Sequence, residues 1–265
     1  MNGLHLDTLG TDVIRRHSHG LADVANAASL ADSVPTCGDW TMADLVWHMI
    51  EVQTFWRYIL GGRPDARPQT YEEPERLPDV ALASALRSGV DDLVHILDGA
   101  DPGEAAWSWS SDHTVGFSIR RQSHEALIHH VDGLLAANAP LPVVAPRLAA
   151  DGVDELINLF IGDLPDWAAW HPGDHTVSLV ARDTTDRWGF RLGRMTGTSP
   201  KSGKTYDLVA AEPVPDVEDA TLALGGAAID LLLWLWGRGD LGALARSGDV
   251  AVAGTVREML TNATQ

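Results

Sequence analysis

Two helical stretches that carry ionisable residues where a core-facing stripe should be apolar constrain this chain more than any other feature. Between Thr41 and Leu60, Leu45, His48, Val52, Phe55 and Ile59 recur at spacings of three and four, which predicts an amphipathic helix. Its buried stripe therefore contains a histidine. In the second stretch, Arg120 to Ala137, Glu125 and His129 are four apart, so on a helix they sit one turn above each other and converge on a common point. Asp132 follows on the same face. If the helices pack as neighbours, they offer two imidazoles and one carboxylate, the ligand count of a catalytic zinc or other divalent site with positions left open. The same residues also suit an ordinary core in which a buried histidine is hydrogen-bonded and charges are paired, and periodicity alone leaves both readings open.

The surrounding pattern completes a bundle. Residues from about Leu6 to Leu30 predict a first helix, with His17 and His19 read as solvated or peripheral. Thr41 and Asp44 have the capping-box spacing, and Gly61, Gly62 and Pro64 stop the second helix. Residues 63–78 form a long loop in which Tyr71 and Arg76 are candidate ligand contacts. A third helix is expected from Val80 to Leu97. An irregular stretch with Trp107, Trp109 and Phe117 follows, holding at most a short strand or hairpin. Four helices of this length make a four-helix bundle, and metal sites in bundles are built from inward side chains of facing helices.

Residues 138–146, with three prolines, mark a domain boundary. Beyond it a helix over Pro146 to Phe160 precedes strands at 175–181, 188–192, 205–210 and 221–224, then an apolar helix over Ala227 to Trp236 that Gly237 ends. The expected fold class is α+β: a bundle over residues 1–140 and a small α+β domain over 141–265. His171, Asp174 and His175 form a second cluster, but Pro172 and Gly173 within it predict a turn leading into a strand. There is no glycine-rich phosphate loop and no Gly-x-Ser-x-Gly elbow.

The formal net charge of -18 argues against nucleic acid, which requires a basic stripe, and against anionic membrane surfaces. The most apolar segment, Ile229 to Trp236, is far short of the roughly 20 residues of a membrane span. With no leader pattern at the start, the chain reads as cytoplasmic. Cys37 is the single cysteine, which excludes an intramolecular disulfide and a cysteine-based zinc cluster. Beside Gly38 in a loop, it reads as structural before it reads as a nucleophile.

Three segments resemble the mycothiol-dependent maleylpyruvate isomerase family. CGDWTMADLVWHMIEVQTFW is similar to its Gly-Trp-Thr, Asp-Leu, His signature. Arg120, Arg121, His124, Glu125, His129 and Asp132 resemble its Arg-Arg, His-Glu, His helix, and GGAAIDLLLWLWGRG resembles its C-terminal signature. The resemblance implies a DinB-like four-helix bundle followed by a small α+β domain. It places the metal ligands on His48, Glu125 and His129, with zinc first among the divalent ions expected, and the thiol-contacting arginine on Arg238. The reading of Arg238 from the residues alone is a helix C-terminal charge favoured by the macrodipole. Asp132 is either a partner that orients a ligand histidine or a surface charge. Trp47, Trp56, Trp107 and Trp109 either wall a cleft or fill the core.

The implied activity uses the ion to activate mycothiol or a similar low-molecular-weight thiol toward a small electrophilic substrate, with cis–trans isomerisation or S-transfer as the outcome. The alternatives are a metal-dependent hydrolase, whose open position carries hydroxide, and a non-catalytic ligand-binding member.

Overall fold

The structure is a computed structural model that describes residues 9–162, 164–215 and 217–264. It divides into two compact units, residues 1–143 and 144–265.

The first unit is a bundle of four helices: α1 (Thr11–Ala27), α2 (Met42–Gly61), α3 (Asp79–Asp98) and α4 (Val115–Ala136). The start of α2 follows from its sequence. Thr41 Oγ1 accepts the Asp44 backbone N–H, and the Asp44 carboxylate accepts the Thr41 N–H at 3.0 Å, closing a capping box. At α4 Thr114 caps through the Phe117 N–H, so this helix begins five residues before Arg120. Leu6, expected in the first helix, lies outside the described residues.

Side-chain pairs give the helix directions. His48 meets Glu125, and Trp56 meets Phe117 two turns further along α2, so α2 and α4 are antiparallel. His17 meets His130, and the α1 N-terminus at Gly10 meets Ser123, so α1 and α4 are parallel. Thr11 bonds Asp98 while Asp23 pairs with Arg87, which makes α1 and α3 antiparallel. The chain therefore runs up, down, down, up, and residues 62–78 carry it back between the two parallel helices α2 and α3. Leu21, Met42, Leu45, Met49, Leu82, Leu86 and Leu127 are fully buried and form the core. The expected short hairpin near Trp107 reduces to one isolated bridge, Ala105 to Thr114.

His17 corrects an expectation. It is 3% exposed, in the middle of the buried stripe of α1, because His130 supplies a polar partner at 3.0 Å inside the bundle.

The second unit is α+β. Helix α5 (Pro146–Glu155) continues into a π-helical turn, Leu156–Ile161. Five strands follow: β1 (Ala169–Ala181), β2 (Arg187–Thr198), β3 (Thr205–Val214), β4 (Leu222–Gly226) and β5 (Ala245–Gly248). They order as β3-β2-β1-β4-β5, antiparallel except for the parallel β1–β4 pair. Helix α6 (Ala228–Leu235) lies against β1, β4 and α5, and α7 (Val252–Ala263) against β3. Beyond Gly239 the sequence carries no expectation, and β5 and α7 are found there.

The expected turn at 171–175 is instead part of β1. Its pairing with β2 shifts register between Pro172 and Thr176, and the irregularity absorbs the residues that look like a turn. Among the described residues no helix is long and apolar enough to cross a membrane.

Candidate metal centre

Antiparallel packing of α2 on α4 puts His48 beside the turn that carries Glu125 and His129. Glu125 Oε1 is 3.3 Å from His48 Nε2 and 3.3 Å from His129 Nε2, and the two imidazole centroids are 4.9 Å apart. Donors bound about 2.0–2.2 Å from a zinc ion at tetrahedral corners lie roughly 3.3–3.5 Å from each other. Two of the three edges thus already match those of a coordination face, all three atoms lie within 4.8 Å of one another, and the residues fit a divalent ion. All three side chains retain some solvent contact, 29%, 20% and 14% exposed for His48, Glu125 and His129, so the face opens outward.

Partners behind the ligands fix their orientation. Arg121, 4% exposed and one turn before Glu125, donates to its other oxygen, Oε2, at 3.0 Å. Asp132, fully buried, holds His129 Nδ1 at 2.9 Å. That contact excludes the surface-charge reading of Asp132 and directs the other nitrogen of His129 toward Glu125. Thr36 Oγ1 in turn donates to Asp132 Oδ1 at 2.5 Å, and Cys37 Sγ lies 3.5 Å from Oδ2. The loop before α2 therefore braces α4.

The charges of the set follow from this packing. Burial penalises the carboxylate of Glu125, yet hydrogen bonds from His129 and His48 and the nearby Arg121 charge hold it well below the usual range. Burial likewise penalises a charged His129, but bonds to Asp132, Cys37 and Glu125 lift it well above the ordinary imidazole value. Without an ion, Glu125 and His129 form a half-buried carboxylate–imidazolium pair.

The other expected residues fall out differently. Trp47 and Trp56 are buried, Trp107 is half-buried and Trp109 is 45% exposed. Trp56 and Trp107 both meet Phe55 edge to face, and Trp109 meets Phe117 in the same way. The tryptophan beside His48 is Trp40, 4.9 Å between centroids. Its sequence signals are its place just before the Thr41 cap and the tryptophan of the Gly-Trp-Thr-like segment. Arg76 is paired with Asp44 at 3.0 Å, and Tyr71 packs on Phe55 and Tyr58. Neither metal-compatible set among the described residues draws on His171, Asp174 or His175. His171 bonds Thr196 across the sheet.

Arg238 stands in the second unit, just past α6. Gly237 takes a left-handed φ of 77°, its N–H reaches Trp234 O, and the Arg238 N–H reaches Leu233 O at 2.7 Å. This double bond pattern is a Schellman turn. The Arg238 guanidinium donates to Trp236 O at 2.5 Å and lies 5.9 Å over the Trp236 ring. Arg257 of α7 reaches the neighbouring carbonyls of Trp234 and Leu235. Both cations thus satisfy carbonyls at a helix C-terminus, the interaction expected of the macrodipole.

A family model described as the mycothiol maleylpyruvate isomerase N-terminal domain matches residues 12–132. One described as the C-terminal domain of the same enzyme matches residues 147–255. The fold is similar to a crystal structure of the mycothiol-dependent maleylpyruvate isomerase, at 15% identity and a TM-score of 0.59. A histidine-to-alanine variant of that enzyme matches at 13% identity and a TM-score of 0.60. Each likeness covers 91% of this chain and 92% of the other. At these identities it concerns the fold. No curated protein matches the chain.

Proposed function

The chain belongs to the mycothiol-dependent maleylpyruvate isomerase family, and on that premise we propose that it is a metal-dependent enzyme acting on a small electrophile with a low-molecular-weight thiol as cosubstrate. The observation that carries this reading is the set of three donor atoms from α2 and α4, all within 4.8 Å of one another and with Glu125 Oε1 3.3 Å from each imidazole nitrogen. His48, Glu125 and His129 are the ligands. A divalent ion with open positions, zinc first among candidates, favours thiolate over thiol and so supplies a strong nucleophile at neutral pH. An exogenous thiol accounts for a chain whose one cysteine, Cys37, sits behind the ligands and not among them.

The remaining roles belong to the protein's own side chains. Asp132 keeps the proton of His129 on Nδ1, so Nε2 presents its lone pair to the ion. Arg121 holds Glu125 by one oxygen and leaves the other as the ligand atom. It also offsets part of the carboxylate charge, leaving the centre more cationic and better able to hold an anionic sulfur. Arg238 is assigned to the thiol cosubstrate through the resemblance of its segment to the family's C-terminal signature. Addition of the thiol to a cis double bond, rotation and elimination gives isomerisation. Retention of the sulfur in the product gives S-transfer.

The test is elemental analysis of purified wild type and Glu125→Ala, followed by titration of mycothiol into a cobalt-substituted sample. About one ion per chain, lost in the variant, and a thiolate charge-transfer band are expected. A folded wild type that holds no metal and rejects added metal overturns the proposal.

A further inference from the structure

A second set of donor atoms lies on the far side of the His129 ring. His129 Nδ1 faces Asp132 Oδ2 at 2.9 Å, and the same oxygen is 3.5 Å from Cys37 Sγ. All three donor atoms lie within 4.8 Å of one another. We infer that Cys37, Asp132 and His129 form a second metal-binding site, selective for thiophilic ions such as cadmium and competing with the first site for one imidazole.

The donor set is the first argument. Sulfur, nitrogen and carboxylate oxygen converge on one point, and a thiolate shifts selectivity toward soft ions. The spacing is the second. Around an ion of zinc's size, bonds of about 2.3 Å to sulfur and 2.1 Å to oxygen put those two ligands roughly 3.6 Å apart, so the sulfur–oxygen edge already fits, the nitrogen–oxygen edge opens by about half an ångström, and a larger cadmium ion opens both slightly further. The third is the support. Thr36 holds the other oxygen of Asp132, so Oδ2 stays aimed at both Nδ1 and Sγ. Access comes from the sulfur side, since Asp132 is fully buried while Cys37 is half-buried. On ligation the thiol proton leaves to water and Sγ binds as thiolate.

Competition follows from the chemistry of imidazole. A neutral ring has one lone pair, and an ion on Nδ1 moves the remaining proton of His129 to Nε2, the atom that faces Glu125. A thiophilic ion at Cys37 therefore removes a ligand from the His48, Glu125, His129 set. That consequence rests on the proposed function. The second site itself does not.

Because Cys37 is the chain's single cysteine, sulfur-to-cadmium charge-transfer absorption reports on this residue alone. The experiment titrates cadmium into the metal-free full chain and into three variants whose folding is checked by circular dichroism. Wild type should give a saturable band, and Cys37→Ser none. Asp132→Asn should weaken binding at least tenfold. His48→Ala should bind at least as tightly as wild type, because the competing site is gone. A folded wild type with no band, or an Asp132→Asn curve within twofold of wild type, would show that no built site exists. Loss of the band in His48→Ala would assign the sulfur to the first site and overturn the inference equally. Should elemental analysis find no ion on the His48 set, the sulfur band is still expected, so the two failures are distinguishable.

Discussion

His129 and His130 are consecutive residues of one helix, yet their surroundings drive them in opposite directions. His129 turns toward α2 and meets Glu125, Asp132 and Cys37, which together overcome burial and raise its pKa well above the ordinary value. His130 turns toward α1 and meets His17 at 3.0 Å. There burial lowers both imidazoles, and His17 falls to about 3. A histidine inside a helical bundle is thus not one kind of residue. Carboxylate company makes it a cation that an ion can replace, and histidine company makes it a neutral packing element with one shared proton.

The sharpest way to break this contrast is to remove a ligand from one side and a packing partner from the other. His48→Ala should take bound metal from about one ion per chain to almost none, a loss beyond the roughly 10–100-fold cost of disturbing an outer partner. His17→Phe should leave the metal content unchanged by elemental analysis. Metal loss in both variants would dissolve the distinction.

Acid should act next, and through the neutral pair. The folded-state pKa of His17 lies near 3 against an unfolded value of 6.5, so the unfolded chain binds more protons throughout that window. Stability contributed by neutral His17 is complete above pH 6.5 and falls as the pH drops toward 3, by on the order of 5 kcal/mol over the whole range. Urea unfolding at several pH values should show this slope, and His17→Phe should flatten it. In the metal-free protein His129 has the reverse sign. Its raised pKa contributes stability that is complete below 6.5 and is lost as the pH rises through the folded value.

Smaller effects sharpen the comparison. Asp132→Asn should lower metal affinity about 10–100-fold by freeing the tautomer of His129, with ligand number unchanged, as measured by competition with a chromophoric chelator. Calorimetry in two buffers of different ionisation enthalpy should find about one proton released per ion at neutral pH, because His129 must lose one before it can ligate. Thr41→Ala, which touches neither cluster, should cost about 1 kcal/mol of stability and leave metal binding alone.

What could be read in advance follows from how local each feature is. Glu125 and His129 are legible as a pair because helical spacing alone puts them on one face of α4, whereas His48 joins them only through the packing of α2 on α4, and the ends of α2 are written in Thr41, Asp44 and Gly61. The burial of His17 was hidden because its partner is 113 residues away. Cys37 is the loop residue its sequence suggests, but its partner is hidden for the same reason: the carboxylate it meets is 95 residues downstream. The strand through Pro172 and Gly173 was hidden because a bulge uses the residues of a turn. Arg121 stood in plain sight within the family-like segment, but only its contact with Glu125 gives it a role.

Since α4 carries both histidine clusters, it also limits how the chain can change length. One residue inserted between Glu125 and His129 would rotate everything downstream by about 100° and push their separation along the axis out by about 1.5 Å. The imidazole now facing α2 would turn away, and the one facing α1 would leave His17. Substitutions along this helix can be absorbed one at a time, whereas insertions and deletions cannot. Residues 62–78, which link two parallel helices and supply none of the donor atoms, are where a change of length disturbs neither cluster.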